Sequence, residues 1–199
     1  MLVSTPNCKI RRTVLAGMAL FCLLADMGVY GAETQYSRDP DTSIETWEVL
    51  DRGVRLSLTQ ILPDQARAFY LARGFDREAA EAYASTCVFQ TVLRNEGGAP
   101  FAFHLGDWRM LRGKRAFRFK TEPEWQHEWE RRQLAGPARI AFRWAQFPLE
   151  QDFEPGDWNQ GMTTCPLPRG ACFDLEFKWR MGGKMKEGKL KGVCCAQDR

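Results

Sequence analysis

Residues 173–195 read FDLEFKWRMGGKMKEGKLKGVCC and carry the clearest fold signal in the chain. Apolar residues alternate with polar ones at the start of this stretch, at Phe173, Leu175, Phe177 and Trp179. Such a period of two is typical of a β-strand with one buried face. The pair Gly182–Gly183 then predicts a tight hairpin turn, because glycine readily adopts the positive φ angles of these turns. The stretch therefore predicts two antiparallel strands.

Earlier segments repeat this strand-like composition without helices at regular intervals. Four of them carry aromatic residues, and the first is also rich in β-branched ones: CVFQTVLRN (87–95), FAFHL (101–105), RAFRF (115–119) and RIAFRWAQF (139–147). Short strands in series, bounded by Gly or Pro, favour an antiparallel sandwich or partial barrel. We therefore expect an α+β fold in which an N-terminal helical hairpin packs on an antiparallel β-sandwich of immunoglobulin-like architecture, with one inserted helix.

The helical hairpin is predicted over residues 63–86. Pro63 suits the first turn of a helix, and Gly74 suits the left-handed position that ends it. Asp76 can cap the second helix, whose alanine content favours helix formation. The inserted helix is predicted over residues 122–133, where Thr121 and Glu124 have the spacing of a capping box.

The N-terminus has the layout of a cleaved secretory signal over residues 1–31. A basic stretch ending at Arg11–Arg12 precedes an apolar run over 13–25. As a helix this run is about 20 Å long, too short for a hydrocarbon core of about 30 Å. Cutting after Gly31 places Val29 and Gly31 at the two positions that must be small. Residues 32–46 are predicted as a flexible leader, and residues 47–199 as one globular domain with its sandwich at about 87–195.

The predicted destination is the periplasm, reached by the general secretory route. The Arg11–Arg12 pair resembles a twin-arginine signal but lacks the usual flanking residues. An uncleaved membrane anchor is the alternative. After cleavage no stable membrane span is expected. The chain has 28 basic and 25 acidic residues, a net charge of +3, and this balance gives no reason to expect a nucleic-acid partner.

An oxidising compartment means that cysteines are interpreted first as disulfides. The loop PLPRGA between Cys165 and Cys172 could bring these two sulfurs together. Strand alternation from the apolar Leu190 places Cys194 on the inner face, so Cys87–Cys194 is the second predicted bond. Cys195 is then a spare thiol facing outward, although a bulge at the preceding glycine would exchange the two roles.

The spare thiol of Cys195 has three possible roles. It could be an incidental free cysteine, or it could bond to another chain. It could also belong to a soft-metal or redox site with Met181 and Met185, because thiolates and thioethers select Cu(I). Spacing does not enforce such a site, since the chain contains no CxxC pair. No cofactor is strongly implied.

Two groups of aromatic residues are candidate binding surfaces. Trp125 and Trp129 are four residues apart, so they share one face of the inserted helix. Trp158 and Asn159 are predicted at the tip of a rigid turn in EPGDWNQGM (154–162), where they would suit a sugar or a protein partner. The alternative for each tryptophan is that it packs into the fold.

The sequence gives little support for catalysis, because it has no GxSxG, HExxH, SxxK or phosphate-binding glycine loop. The leading hypothesis is an exported binding or accessory protein that associates with another protein in the periplasm. Soft-metal or thiol-redox handling by the C-terminal cysteine and methionine residues is the first alternative. A carbohydrate-binding module is the second.

Overall fold

The structure is a computed structural model that describes residues 32–197. The predicted signal peptide over residues 1–31 lies outside the described residues. The strands in chain order are β1 (Gln35–Arg38), β2 (Glu45–Asp51), β3 (Val54–Ile61), β4 (Cys87–Asn95), β5 (Phe101–His104), β6 (Arg109–Arg112), β7 (Arg115–Phe117), β8 (Glu150–Phe153), β9 (Trp158–Cys165), β10 (Cys172–Met181) and β11 (Lys184–Cys194). The helices are α1 (Pro63–Leu71), α2 (Arg77–Ala84), α3 (Glu122–Arg131) and α4 (Gly136–Ala145), with a short 3-10 helix at Leu105–Asp107.

The strands form two antiparallel sheets. The first sheet has the order β1-β2-β3-β4-β9. In the second sheet, β11 pairs with one side of β10 along its length. The opposite side of β10 pairs with β5 near one end and with β6 near the other, and β8 and β7 extend these two pairings. The α+β class of mostly antiparallel sheets is therefore confirmed.

The hairpin that dominates the sequence is present as β10 and β11. Its turn residues Gly182 and Gly183 have φ angles of 56° and 72°. The alternating side chains predicted to share a buried face are all buried: Phe173, Leu175, Phe177 and Trp179. They belong to one apolar core to which both sheets contribute. For example, the rings of Phe89 in β4 and Phe173 in β10 lie 6.0 Å apart, edge to face.

The connectivity of the first sheet differs from an immunoglobulin sandwich. Its first four strands are consecutive in the chain and pair as a meander, whereas immunoglobulin sheets combine strands that are distant in sequence. Helices α1 and α2 follow β3, so they do not precede the sheets as an N-terminal hairpin would. Asp76 caps α2 by accepting a hydrogen bond from the Ala79 N–H at 2.7 Å.

Two segments correct the sequence predictions. Residues 35–38, predicted within a flexible leader, form the edge strand β1, and Tyr36 donates a hydrogen bond to Glu45 and lies against Trp47. The segment RIAFRWAQF, predicted as a strand, forms most of α4. Pro137 suits the first turn of this helix, and Ala138 and Phe142, four residues apart, are both buried. Helical spacing therefore prevails over the apparent alternation.

The four helices build a second apolar cluster beside the sandwich core. Its aromatic members are Tyr70, Phe75, Tyr83, Trp125, Trp129 and Phe142. α3 starts as predicted, since the Thr121 N–H and hydroxyl both donate to the Glu124 carboxylate at 2.8 Å. In residues 32–197 no helix has both the length and the apolar character needed to span a membrane.

Candidate functional site

The cysteines of the described chain pair differently from the prediction. The disulfides are Cys87–Cys195 and Cys172–Cys194, and Cys165 is a buried free thiol. The predicted bonds Cys87–Cys194 and Cys165–Cys172 are therefore wrong, and Cys195 is not a spare thiol. Two bonded cysteines at the chain end are possible because each adjacent residue bonds to a different partner. These disulfides indicate a non-reducing, extracytoplasmic environment.

A bulge in β11 explains why Cys195 replaces Cys194. Val193 pairs with Phe173 and Leu190 pairs with Leu175, so two residues of β11 lie opposite one residue of β10. The inserted position includes Gly192, whose φ of 68° is in the left-handed region. The extra residue shifts the alternation by one. Leu190, Val193 and Cys195 consequently share the interior, whereas regular alternation had predicted Cys194 there.

The loop between Cys165 and Cys172 crosses between sheets and does not fold back. Cys165 ends β9 in the first sheet, and Cys172 begins β10 in the second. Leu167 anchors the loop by being buried in the shared core. Cys172 instead faces Cys194 across the β10–β11 pair, with a Cα–Cα distance of 4.0 Å.

Cys87, Cys165 and Cys195 together form a buried sulfur cluster. The register of β4 and β9 places Cys87 directly opposite Cys165. The three sulfur atoms all lie within 4.8 Å of one another, and no residue of the three is more than 2% exposed. Burial raises the pKa of the Cys165 thiol, so the thiol stays protonated near neutral pH. The sequence predicts an outward-facing spare thiol at Cys195, whereas the free thiol is the buried Cys165.

The proposed metal candidates Met181 and Met185 do not join these sulfurs. Met181 ends β10 and Met185 stands near the start of β11, so both lie at the turn of the hairpin, and Met185 is 51% exposed. Cys195 follows the last residue of the same strand, and ten residues of extended chain span about 33 Å. Cys195 is also occupied by its disulfide. The cysteine–methionine cluster predicted from the sequence is therefore not assembled.

Trp125 and Trp129 are core residues, so the candidate surface on α3 is wrong. Both are at most 1% exposed, and their rings stack at a centroid distance of 4.8 Å. The Trp125 indole N–H donates to the Thr164 hydroxyl at 2.8 Å, which fixes α3 against β9. The alternative interpretation, that these tryptophans pack the helix onto the fold, is confirmed.

Trp158 and Asn159 lie at the start of β9, not at the tip of a turn. The preceding turn over 154–157 is closed by a hydrogen bond from the Asp157 N–H to the Glu154 carbonyl. Trp158 is 52% exposed, with the Arg94 guanidinium 5.8 Å from its ring centre. Asn159 is half-buried and donates to the Gln151 side chain. Trp158 therefore stays accessible, whereas the Asn159 amide is already engaged.

The most exposed aromatic residue was missed by the sequence prediction. Trp144 of α4 is 84% exposed, and Ile140, one turn earlier on the same face, is 57% exposed. Trp144 borders a groove of about 390 Å³ whose other apolar walls are Pro123, Phe147, Pro148 and Leu149. We call Ile140, Trp144 and this groove the α4 patch. The assignment of residues 139–147 to a strand hid the pairing of Ile140 with Trp144.

Polar groups also line the groove of the α4 patch. Arg143 and Glu122 line the groove and pair with each other, with an N–O distance of 3.5 Å. Asn159 and Gln160 also line the groove and contribute amide groups. Protein-binding surfaces commonly combine apolar and polar side chains.

No protein-family model matches this chain, and no curated protein or solved structure does either.

Proposed function

We propose that the chain is an exported protein that binds another protein in the periplasm through the α4 patch. The observation that carries this proposal is the exposure of two large apolar side chains, Ile140 and Trp144, on one helical face. Soluble proteins rarely expose large contiguous apolar patches, and those that they do expose mark interaction sites. Tryptophan is also among the residues that contribute most to protein–protein affinity.

Contrast with the other tryptophans supports this choice. Five tryptophans are at most 3% exposed: Trp47, Trp108, Trp125, Trp129 and Trp179. Trp158 is exposed but is paired with Arg94, and it has no exposed apolar neighbour in its strand. Among the tryptophans of residues 32–197, only Trp144 combines exposure with an exposed apolar neighbour and an adjoining groove.

Ile140 favours a protein partner over a carbohydrate. Sugars stack on aromatic rings and need polar groups to receive their hydroxyls, and an aliphatic side chain provides neither. An apolar side chain of a protein would gain from Ile140 and Trp144 alike, because apolar area removed from water contributes about 25 cal/mol per Å². We therefore expect a partner that inserts an apolar or aromatic side chain into the groove.

The proposal includes export to the periplasm through the predicted signal peptide. Both disulfides support it, since such bonds form and persist in oxidising compartments such as the periplasm. N-terminal sequencing of the mature protein should begin at Ala32 or within a few residues of it.

Site-specific photo-crosslinking in the producing cells tests the binding surface. A photoreactive phenylalanine at position 144 should give an adduct with one other protein, and the same residue at position 158 is the matched control because Trp158 is also exposed. The added change Ile140→Ser should weaken the adduct at 144. Equal adducts at both positions, no adduct at 144, or an adduct of exactly two copies of this chain would contradict the proposal.

A further inference from the structure

The buried sulfur cluster places a free thiol beside a disulfide that joins the two sheets. Cys87 belongs to β4 of the first sheet, and Cys195 follows β11 of the second. Their bond is the only covalent link between the sheets other than the chain itself among residues 32–197. Cys165 of β9 lies within 4.8 Å of both bonded sulfurs. Cys165 is therefore close enough to bond with Cys87 or Cys195 in place of their present disulfide.

The strand register favours Cys87 as that partner. Cys87 and Cys165 are directly opposite in the β4–β9 pair, and the Cys165 sulfur is 3.6 Å from the Cys87 carbonyl oxygen. Residues directly opposite in antiparallel strands have Cα atoms about 4.5 to 5.5 Å apart, which lies within the range of disulfides. Cys172 and Cys194 are opposite residues of β10 and β11, and they form a disulfide with a Cα–Cα distance of 4.0 Å. The fold therefore already contains one disulfide between directly opposite residues.

We propose that Cys87, Cys165 and Cys195 form an internal thiol–disulfide exchange site. The Cys165 thiolate attacks the Cys87 sulfur, so that a Cys87–Cys165 bond forms as the Cys87–Cys195 bond breaks. Cys195 leaves as a thiolate and takes up the proton that Cys165 released. One disulfide and one thiol are present before and after the step, so no oxidant or reductant is consumed. This chemistry is compatible with a compartment in which disulfides persist.

Exchange would convert a link between the sheets into a link within the first sheet. In the form described here, Cys195 ties the chain end to β4. After exchange the chain end would remain attached to β10 through Cys172–Cys194 and to the crossing loop through the hydrogen bond from the Cys195 N–H to the Ala171 carbonyl, at 2.9 Å. Cys195 would then carry a thiol that could bond to a thiol-bearing or disulfide-bearing protein.

Burial sets the rate of this step rather than its direction. The thiolate is the attacking species, and burial raises the pKa of the Cys165 thiol, so little thiolate exists while the site is closed. The three residues are nearly inaccessible to solvent. The exchange is therefore expected over hours and not seconds, and it should precede capture of the thiol by an external reagent.

Trapping the released thiol tests the proposal on the mature exported protein, which lacks Cys8 and Cys22 of the predicted signal segment. The folded protein is incubated with N-ethylmaleimide, samples are quenched with acid, and acid-stable digestion without reduction maps both label and disulfides. We expect the maleimide on Cys195 together with a growing Cys87–Cys165 peptide. A sample quenched at once should retain Cys87–Cys195. Label on Cys165 alone with Cys87–Cys195 intact, or no label after a day, would overturn the proposal.

Single-cysteine variants separate exchange from general opening of the fold. Cys165→Ser should keep Cys87–Cys195 and lose all labelling. Cys195→Ser should contain a Cys87–Cys165 bond and no free thiol. If the folded Cys195→Ser protein kept two free thiols, the two sulfurs could not bond and the proposal would be wrong. The wild-type time course remains decisive if this variant does not fold.

Discussion

Helices α3 and α4 have the same length and follow each other in the chain, yet a pair of large apolar side chains four residues apart is buried in α3 and exposed in α4. In α3, Trp125 and Trp129 are buried, whereas in α4 Ile140 and Trp144 are exposed. Both pairs have the same spacing of four residues, which puts each pair on one helical face. The spacing alone therefore does not decide whether a pair is core or surface.

Whether such a pair is buried or exposed depends on the number of apolar faces on its helix. Apart from its tryptophans, α3 consists of polar and charged residues and one proline, so it has a single apolar face, which faces the cluster. In α4, Ala138 and Phe142 form one apolar stripe, and Ile140 and Trp144 form another. Two residues of a helix turn through about 200°, so these stripes lie on opposite sides. Only one stripe can enter the cluster, and the other is left on the surface.

The largest expected effect comes from removing a buried tryptophan of α3. Trp129→Ala removes contacts with Trp125, Phe75 and Phe142, whose ring centres are 4.8 to 5.4 Å away. Truncating such a side chain in a packed core costs about 3 to 5 kcal/mol of unfolding free energy. Urea denaturation should show this loss, and Trp158→Ala, at an exposed tryptophan, should not. Equal losses in the two variants would contradict the buried role of Trp129.

Replacing Trp125 or Trp129 by Phe should lower the unfolding free energy by different amounts. The Trp125 indole N–H is bonded to Thr164, whereas the buried Trp129 indole N–H has no partner among the described residues. Trp125→Phe therefore leaves a buried hydroxyl without its donor, and Trp129→Phe removes an unpaired polar group. We expect Trp125→Phe to cost about 1 to 3 kcal/mol more than Trp129→Phe in urea denaturation. Equal costs, or the reverse order, would mean that the Trp125 bond contributes nothing.

The Glu124 carboxylate at the start of α3 is expected to make a pH-dependent contribution to the unfolding free energy, smaller than that of a buried tryptophan. Partial burial raises the pKa of Glu124, but hydrogen bonds from Arg118 and Thr121 outweigh it and hold this pKa below the ordinary 4.5. A lowered folded-state pKa stabilises the fold above 4.5, and this contribution is lost as the pH falls through the folded-state value. Glu124→Ala should lose about 1 kcal/mol at neutral pH, and its difference from wild type should shrink in acid.

Glu124→Gln is the control for this pH dependence. The amide oxygen can still accept the hydrogen bond from the Thr121 N–H, but the side chain has no charge to lose. We expect a smaller loss of unfolding free energy than for Glu124→Ala at neutral pH. A difference between Glu124→Ala and wild type that is the same at pH 3 and pH 7 would show that the carboxylate charge is not responsible.

Local patterns predicted the elements that obey one period without interruption. The β10–β11 hairpin, the strand over 87–95 and the capped start of α3 were all readable because turn, capping and alternation signals agree in each. The strand prediction for residues 139–147 was wrong because the apolar residues of this segment also fit a period of two. Pro137, the four-residue spacing of Ala138 and Phe142, and the tertiary cluster around Phe142 favour the helix.

The candidate site was less predictable, because it depends on tertiary pairing. Alternation along β11 pointed to Cys194 as the inner cysteine, and one bulge at Gly192 reversed this. The loop after Cys165 looked like a local turn, but it crosses between sheets, which no local pattern reveals. The exposure of Trp144 likewise depends on which stripe of α4 the helical cluster accepts. Sequence composition indicated an export-compatible, disulfide-bonded protein but not the positions of its reactive groups.

The smallest expected effect on stability concerns the α4 patch, and it completes the comparison. The double variant Ile140→Ser, Trp144→Ser removes two exposed side chains that are not part of either apolar core. Surface substitutions away from packed features change the unfolding free energy by about 0.5 kcal/mol or less. Phe142→Ala, between them on the inner stripe, should instead cost about 3 to 5 kcal/mol.

The double variant should affect partner binding much more than it affects stability. The double variant, with its near-normal stability, should lose the partner that is crosslinked at position 144, because both apolar contacts are gone. Urea denaturation of the purified protein and partner capture in cells measure the two quantities separately. A large loss of stability in the double variant that depends on protein concentration would show that the α4 patch is already covered by a second copy. The exposed stripe would then be a dimer interface, and the contrast between α3 and α4 would describe two kinds of core.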